Sequence, residues 1–316
     1  LLYSGSIGWQ VLQTMVLEHA EAGIYILADT NTQKYCLPVL RKKCNGLENA
    51  KLIILQSGES VKNLQSLEFI WNELHSLNAV RNSLFICLGG GVITDIGGFA
   101  AATFKRGIDF VNIPTTLLAM VDAGLGGKTG INFNSAKNQL GMFAMPLGVF
   151  IFIEFLNTLP SRQKLSGYAE MLKHAMLDSD HLFDKLIVLN SPEKVCQEAI
   201  ILESAAVKLK IVEQDNLEKG KRKVLNLGHS IGHALEAYSQ KNDPDPLLHG
   251  EAVAIGLICE CFISMRMFGM PEPDLEKLAN LISWHFPHYR LKHGAAQELL
   301  ALMSQDKKNP AHSQLN

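Results

Sequence analysis

Charge of one sign is what this sequence most lacks. Its 316 residues hold 29 Lys and Arg against 31 Asp and Glu, a formal net charge of −2. So balanced a chain has neither the basic footprint of a nucleic-acid binder nor a polybasic patch for a membrane surface. Long apolar runs are missing too. The longest candidate, Met142 to Phe155, is interrupted by Pro146 and falls short of the roughly 20 residues that span a bilayer. Cysteine is sparse, at 36, 44, 87, 196, 259 and 261, with no CxxC. Most of these sit in apolar segments, as reduced buried thiols of a cytoplasmic protein do. Charged residues make up only 19%, yet 47% are hydrophobic, which excludes disorder and allows a sizeable core.

The first half of the chain is an alternation. Ile24–Ala28, Lys51–Leu55, Ser83–Leu88, Ile108–Ile113 and Val149–Ile153 read as buried strands. Helical stretches such as Val61–Leu77 lie between them, the pattern of a mostly parallel sheet with covered faces. After Pro160 the texture changes to helical periodicity over 161–177, 193–214, 224–239, 250–268 and 273–285. The fold class expected is α/β plus all-α. A Rossmann-like NAD-binding domain covers residues 1–160, and an α-helical metal- and substrate-binding domain covers 161–316.

Three constellations could carry chemistry. The first is LGGGVITD, which follows a strand and opens a helix. Glycines there let backbone approach a pyrophosphate, and a helix N-terminus favours its charge. Gly89-x-Gly91 matches the start of GxGxxG, with Thr94 where the third glycine would stand. Asp29 and Thr115–Thr116 stand at other strand ends, where Asp29 suits ribose hydroxyls and Thr115–Thr116 suit the phosphate or the nicotinamide of a nucleotide. The second is a set of metal-ligand types: Glu170, His174, His229, His233, His249 and Glu251. His229 and His233 share a helix face. Any one of them alone reads as a satisfied core residue, and spacing does not choose three ligands from six. HExxH is absent, which argues against a metalloprotease. The third is a set of cations outside charge runs: Lys128 between glycines, Lys137, Lys173, Lys208, Arg222 and Lys307-Lys308. They suit a small anionic substrate.

The strings together resemble the 3-dehydroquinate synthase family. They are SGESVK (57–62), GGGVITDIGGFAAATFKRGIDF (89–110), PTTLLAMVDAGLGGKTGINF (114–133), AKNQLGMF, LNTLPSRQKLSGYAEMLKH, LNLGHSIGHALE, LHGEAVAIG and a terminal DKKN. They run in family order over nearly the whole chain. The resemblance implies a homodimeric lyase with the fold of the metal-dependent alcohol and glycerol dehydrogenases. It implies bound NAD, a divalent zinc or cobalt, and a sugar-phosphate substrate, 3-deoxy-D-arabino-heptulosonate 7-phosphate. Hydride would leave and return with no net redox, phosphate would be eliminated, and an aldol closure would form 3-dehydroquinate.

Carried over by position, the resemblance assigns Glu170, His229 and His249 to the metal. It assigns Asp29, Asn31, Glu59, Lys62, Gly90, Gly91, Asp95, Thr115, Thr116, Asp122 and Thr158 to NAD, with Lys128 and Lys137 bordering it. Lys128, Lys137, Asn138, Lys173, Lys208, Arg222, Asn226, His233 and Lys307 or Lys308 go to the substrate pocket. Arg106 matches a residue that reaches the neighbouring subunit's site. Two departures stand out: Thr94 replaces a common glycine, which either alters the approach of the helix to pyrophosphate or lets the Thr hydroxyl donate to it, and Ala123-Gly124 replaces a common Ser-Ser pair. The alternatives are a sister sugar-phosphate cyclase and an NAD-dependent polyol dehydrogenase.

Overall fold

The computed structural model describes residues 1–134, 136–177 and 181–304. The chain divides into two compact units, one of Leu1–Leu159 with Gln197–Ala205, the other of Pro160–Cys196 with the residues from Ala206 onward.

The first unit contains β1 (Leu2–Ser4), α1 (Gly5–Glu18), β2 (Ile24–Asp29), α2 (Thr30–Tyr35), α3 (Leu37–Lys43), β3 (Lys51–Leu55), α4 (Leu64–Ser76) and β4 (Leu84–Gly89). It continues through α5 (Gly91–Thr103), β5 (Asp109–Pro114), β6 (Lys128–Phe133), β7 (Ala136–Phe143) and β8 (Gly148–Ile151). Six strands form a parallel sheet in the order β1-β8-β5-β4-β2-β3. β2 and β4 are apolar along their length because helices cover both faces, which is why they read as continuous runs rather than alternations. α5 lies directly on β4: a Cβ on Gly97 would fall 2.4 Å from Sγ of Cys87. This glycine, one turn beyond Thr94, provides the close helix–strand approach.

Two parts of this unit differ from the expected pattern. β1 is three residues at the chain start, too short to show a period, and pairs with β8. The ribbon β6–β7 is an antiparallel pair separate from the main sheet. β7 is exposed along nearly all its length, so no buried face imposes an alternation on its sequence.

The second unit contains α6 (Ser161–Leu177), α7 (His181–Leu189), α8 (Glu198–Gln214, within which the division falls), α9 (His229–Asn242), α10 (His249–Phe268), α11 (Glu272–His285) and α12 (Ala295–Ser304). It has no β-strand among its described residues. Helical periodicity predicts a helix from 224. Instead, Lys221–Asn226 form a 3-10 turn and the chain breaks at Gly228, whose φ is +79°. α9 therefore starts at His229, with a fixed change of direction just before its first histidine. α7 and α12, nine and ten residues long, are not singled out by periodicity.

All six cysteines are free. Burial pushes their thiols up, to about 12 at Cys36 and about 11 at Cys44 and Cys261, so they stay protonated at neutral pH.

Candidate active site

In the first unit the nucleotide candidates gather at the carboxyl ends of parallel strands. β2 and β4 are neighbours although β3 lies between them in sequence, so the strand order reverses here. Such a switch point is where open α/β sheets bind ligands. Asp29 ends β2, and its Oδ1 accepts from the N–H groups of Asn31 and Thr32 at 2.8 and 2.9 Å, starting α2. Gly90 and Gly91 follow β4 and begin α5, and Thr115 binds back through its N–H to the carbonyl of Gly89 at 3.0 Å. A side chain on Gly90 would meet Cγ2 of Thr116 at 3.0 Å, and one on Gly91 would meet Cβ of Ala123 at 2.9 Å. At both positions a side chain has no room, so only glycine fits. Asp122 lies in the π-helical turn Ala119–Ala123, and Thr158 ends the 3-10 turn after β8.

Of the two readings of Thr94, the donor role falls. Its hydroxyl donates to the carbonyl of Gly91 at 3.1 Å and the residue is buried, so it offers no proton to a pyrophosphate. A helix-interior threonine close to its own preceding turn bonds there first. Gly124 has a packing reason as well: a Cβ would fall 2.7 Å from the carbonyl oxygen of Ala119.

A second group of candidates is bound together around Lys62. Its buried ammonium donates to Asp95 at 2.5 Å and to Oδ1 of Asn138. Asn132, which the sequence does not single out, completes the link. Its amide donates to Glu59 at 2.8 Å, its Oδ1 accepts from the N–H of Asn138 at 2.9 Å, and its own N–H donates to the carbonyl of Lys62 at 2.8 Å. Expected nucleotide and substrate residues thus form one network that straps ribbon β6–β7 to the turn Glu59–Val61 and to α5. Lys128 opens β6 and is exposed, and Lys137 is half-buried on β7.

Arg106 lies elsewhere. With Lys105 it adopts a left-handed backbone in the turn between α5 and β5, at the amino-end edge of the sheet. The nucleotide candidates occupy the opposite edge of this unit.

In the second unit three histidines and a carboxylate converge. Ring nitrogens of His229, His233 and His249 lie within 4.8 Å of one another. Oε1 of Glu170, on α6, is 3.5 Å from Nε2 of His229 and 3.3 Å from Nε2 of His249. Donor atoms about 2.0–2.1 Å from a tetrahedral zinc stand roughly 3.3–3.4 Å apart. The observed spacing is that of ligands around a shared ion. The other oxygen of Glu170 is 2.5 Å from the ammonium of buried Lys173, one turn further along α6.

The histidine tautomers follow from their other nitrogens. Nδ1 of His229 faces the carbonyl of Leu227 at 3.1 Å, and Nδ1 of His249 faces Oε2 of Glu236 at 3.2 Å. A carbonyl or carboxylate oxygen only accepts, so Nδ1 of each ring carries a proton; Nε2, which faces Oε1 of Glu170, is the nitrogen whose lone pair a metal would take once its own proton leaves. Glu236, which sequence reasoning missed, contacts the cluster through His249. On α9 it reads as an ordinary polar position, and only the packing of α9 against α10 brings it to His249. Burial opposes charge on His249, but the carboxylates of Glu170 and Glu236 outweigh it and raise its pKa to about 9. The pocket favours positive charge, as a cation site does.

Glu251 separates from the other ligand candidates. Both its oxygens take bonds from Arg162, at 2.8 and 2.9 Å, and Oε2 also accepts from the N–H of Leu248. It fixes the start of α10, and so the position of His249, rather than facing an ion. His174 is buried on α6 one turn after Glu170. Among the cations, Arg222 is buried and donates to the carbonyl of Asn216 at 2.8 Å, while Lys208 is buried on α8. Asn226 reaches Glu218 at 3.5 Å. Lys307 and Lys308 lie outside the described residues.

Fold and site together define a class: an α/β unit of the dinucleotide-binding type followed in sequence by a helical unit with a histidine–carboxylate cluster that could hold a metal. Family comparison narrows it. The 3-dehydroquinate synthase N-terminal family matches residues 52–166, and the 3-dehydroquinate synthase C-terminal family matches 167–309. The chain is 43% identical over 288 residues to 3-dehydroquinate synthase of Parabacteroides distasonis, covering 90% of this chain and 81% of that one. This chain belongs to the 3-dehydroquinate synthase family. Among solved structures it is similar to 2-deoxy-scyllo-inosose synthase complexed with carbaglucose-6-phosphate, NAD+ and Co2+. The TM-score is 0.82 at 27% identity, over 97% of this chain and 85% of the other. It is also similar to 2-epi-5-epi-valiolone synthase from Streptomyces hygroscopicus with NAD+ and Zn2+ bound, with a TM-score of 0.76 at 26% identity, over 89% and 79%.

Proposed function

We propose that this chain performs its family's reaction, converting 3-deoxy-D-arabino-heptulosonate 7-phosphate to 3-dehydroquinate and phosphate, a step toward chorismate and the aromatic amino acids. The observation that carries the reading is the spacing of Glu170, His229 and His249, with both histidines presenting Nε2. When bound, NAD supplies reversible hydride acceptance and the metal, zinc or cobalt, supplies Lewis acidity.

The chain's own residues do the rest. Asp29, Asn31, Thr115, Thr116, Asp122, Thr158 and the Gly90–Gly91 backbone hold the nucleotide, with Glu59, Lys62 and Asp95 beside it. Glu170, His229 and His249 hold the metal. Lys173 keeps the second oxygen of Glu170 from turning away. Lys128, Lys137, Asn138, Lys208, Arg222, Asn226, His233 and Lys307 hold the carboxylate and phosphate of the substrate, a positioning and electrostatic contribution. His233 serves proton transfer or substrate binding, a role supported by its position beside His229 and His249.

Residues 1–160 act as the nucleotide-binding domain and 161–316 as the metal- and substrate-binding domain, in a cytoplasmic homodimer. Support for the dimer comes from Arg106, which stands at the sheet edge away from its own unit's nucleotide candidates. No helix among the described residues is long and apolar enough to cross a membrane.

The test is phosphate release from the proposed substrate, with and without catalytic NAD and cobalt or zinc. Matching phosphate and dehydroquinate, dependent on both cofactors and without NADH accumulating, supports the reading. His229→Ala is expected to lose metal and turnover together; if both survive, the ligand assignment is wrong. Turnover of glucose 6-phosphate or sedoheptulose 7-phosphate instead would move the assignment to a sister cyclase.

A further inference from the structure

α9 carries two of the clustered histidines, yet its N-terminus has no cap of its own. The N-cap residue is Gly228, which has no side chain to accept from the first turn. A side chain is excluded there. The φ of +79° disfavours one, and a Cβ would fall 2.8 Å from Cγ of Leu257 on α10. Helix N-termini leave several N–H groups without intrahelical partners, and buried ones need an acceptor.

The acceptor comes from α10. Glu260, half-buried and one turn after Leu257, receives the N–H of Gly228 on Oε2 at 2.6 Å and the N–H of Ile231 on Oε1 at 3.2 Å. A carboxylate at this position also complements the positive end of the helix dipole.

The first of these bonds acts on the metal cluster directly. The N–H of Gly228 and the carbonyl of Leu227 belong to one planar peptide and point in opposite directions. That carbonyl accepts from Nδ1 of His229 at 3.1 Å. The peptide plane is therefore gripped on one side by Glu260 and grips the His229 ring on the other. Rotation of the plane would swing Nε2 away from Glu170.

We propose that Glu260 is a positioning residue for the α9 histidines, a cap delivered from α10 that sets the peptide orienting His229 toward the metal. It touches neither metal nor substrate. The inference rests on the metal-site reading above.

The experiment compares Glu260→Ala and Glu260→Gln with the parent protein, using cobalt affinity by chelator competition and amide exchange of residues 228–232. Glu260→Ala is expected to lose about 10–100-fold in cobalt affinity, the usual scale for losing an outer-shell partner. Exchange at the amides of 228 and 231 should accelerate. Glu260→Gln keeps the volume and one acceptor oxygen, so its loss should be smaller, with partial protection.

A Glu260→Ala protein that melts lower but binds cobalt within twofold of the parent overturns the proposal, since a merely structural cap would do that. If Glu260→Ala does not fold, Glu260→Gln decides: parental affinity with parental protection overturns it. A parent that binds cobalt but converts no substrate sinks the proposed activity and leaves this inference standing. A parent that binds no cobalt sinks the inference together with the metal assignment.

Discussion

Replacing Lys62 with methionine tests the network that joins the strand-end residues to the ribbon. Methionine keeps most of the volume and removes the charge. In the native protein the ammonium is 2.5 Å from Asp95, with the two side chains 5% and 18% exposed. Removing one partner of a fully buried pair costs about 3–5 kcal/mol, because the other charge is stranded. Asp95 keeps some access to water and a further interaction of its own, which places this case below that range, at about 2–3 kcal/mol. For a unit of this size each kcal/mol lowers the melting temperature by roughly 2–4 °C, so a fall of about 5–10 °C is expected. Thermal unfolding followed by far-UV circular dichroism measures it. The decisive comparison is the cycle with Asp95→Asn. If stranding is the cause, Asp95→Asn should cost little or even restore stability in the Lys62→Met background, though it destabilises the parent. A Lys62→Met protein melting within about 1 °C of the parent would refute the reasoning. So would strict additivity of the two changes.

Glu236→Ala should weaken cobalt binding by about 10–100-fold, because Nδ1 of His249 loses the carboxylate that fixes its tautomer. Chelator competition reads it, and an unchanged affinity would remove Glu236 from the site. A pH effect is expected at Asp215, whose carboxyl is held below its usual range by the N–H groups of Gly220, Arg222 and Lys219. A depressed carboxylate adds stability above its unfolded pKa and loses it as pH falls through the folded value. The urea midpoint of the parent should therefore exceed that of Asp215→Asn at pH 6, and the gap should close toward pH 3. A gap independent of pH would contradict the assignment.

Much of the architecture was legible because buried parallel strands must be apolar on both faces. Runs such as LFICL have no other reading between turn signals, and β2, β3, β4 and β5 appear within a residue or two of where those runs lie. The long helices of the second unit were legible from their helical periodicity. Their boundaries were less so. Periodicity carries through 224–228, but the start of α9 is decided by a left-handed glycine packed against Leu257. The ribbon β6–β7 was invisible because β7 is exposed along nearly all its length, so no buried face imposes an alternation.

The site divides along the same line. Residue types and order alone determined the family, and with it the inventory of histidines, carboxylates, glycines and lysines, because reactive chemistry restricts which side chains serve. Sequence could not choose among six metal-ligand candidates, since ligation depends on where donor atoms meet. Tertiary packing narrows the set: it brings Oε1 of Glu170 to the Nε2 atoms of His229 and His249, keeps His233 beside them, and turns Glu251 toward Arg162. It also produced roles that no motif announces. Asn132, Glu236 and Glu260 act on groups far away in sequence, and a hydrogen bond across two elements exists only after those elements pack.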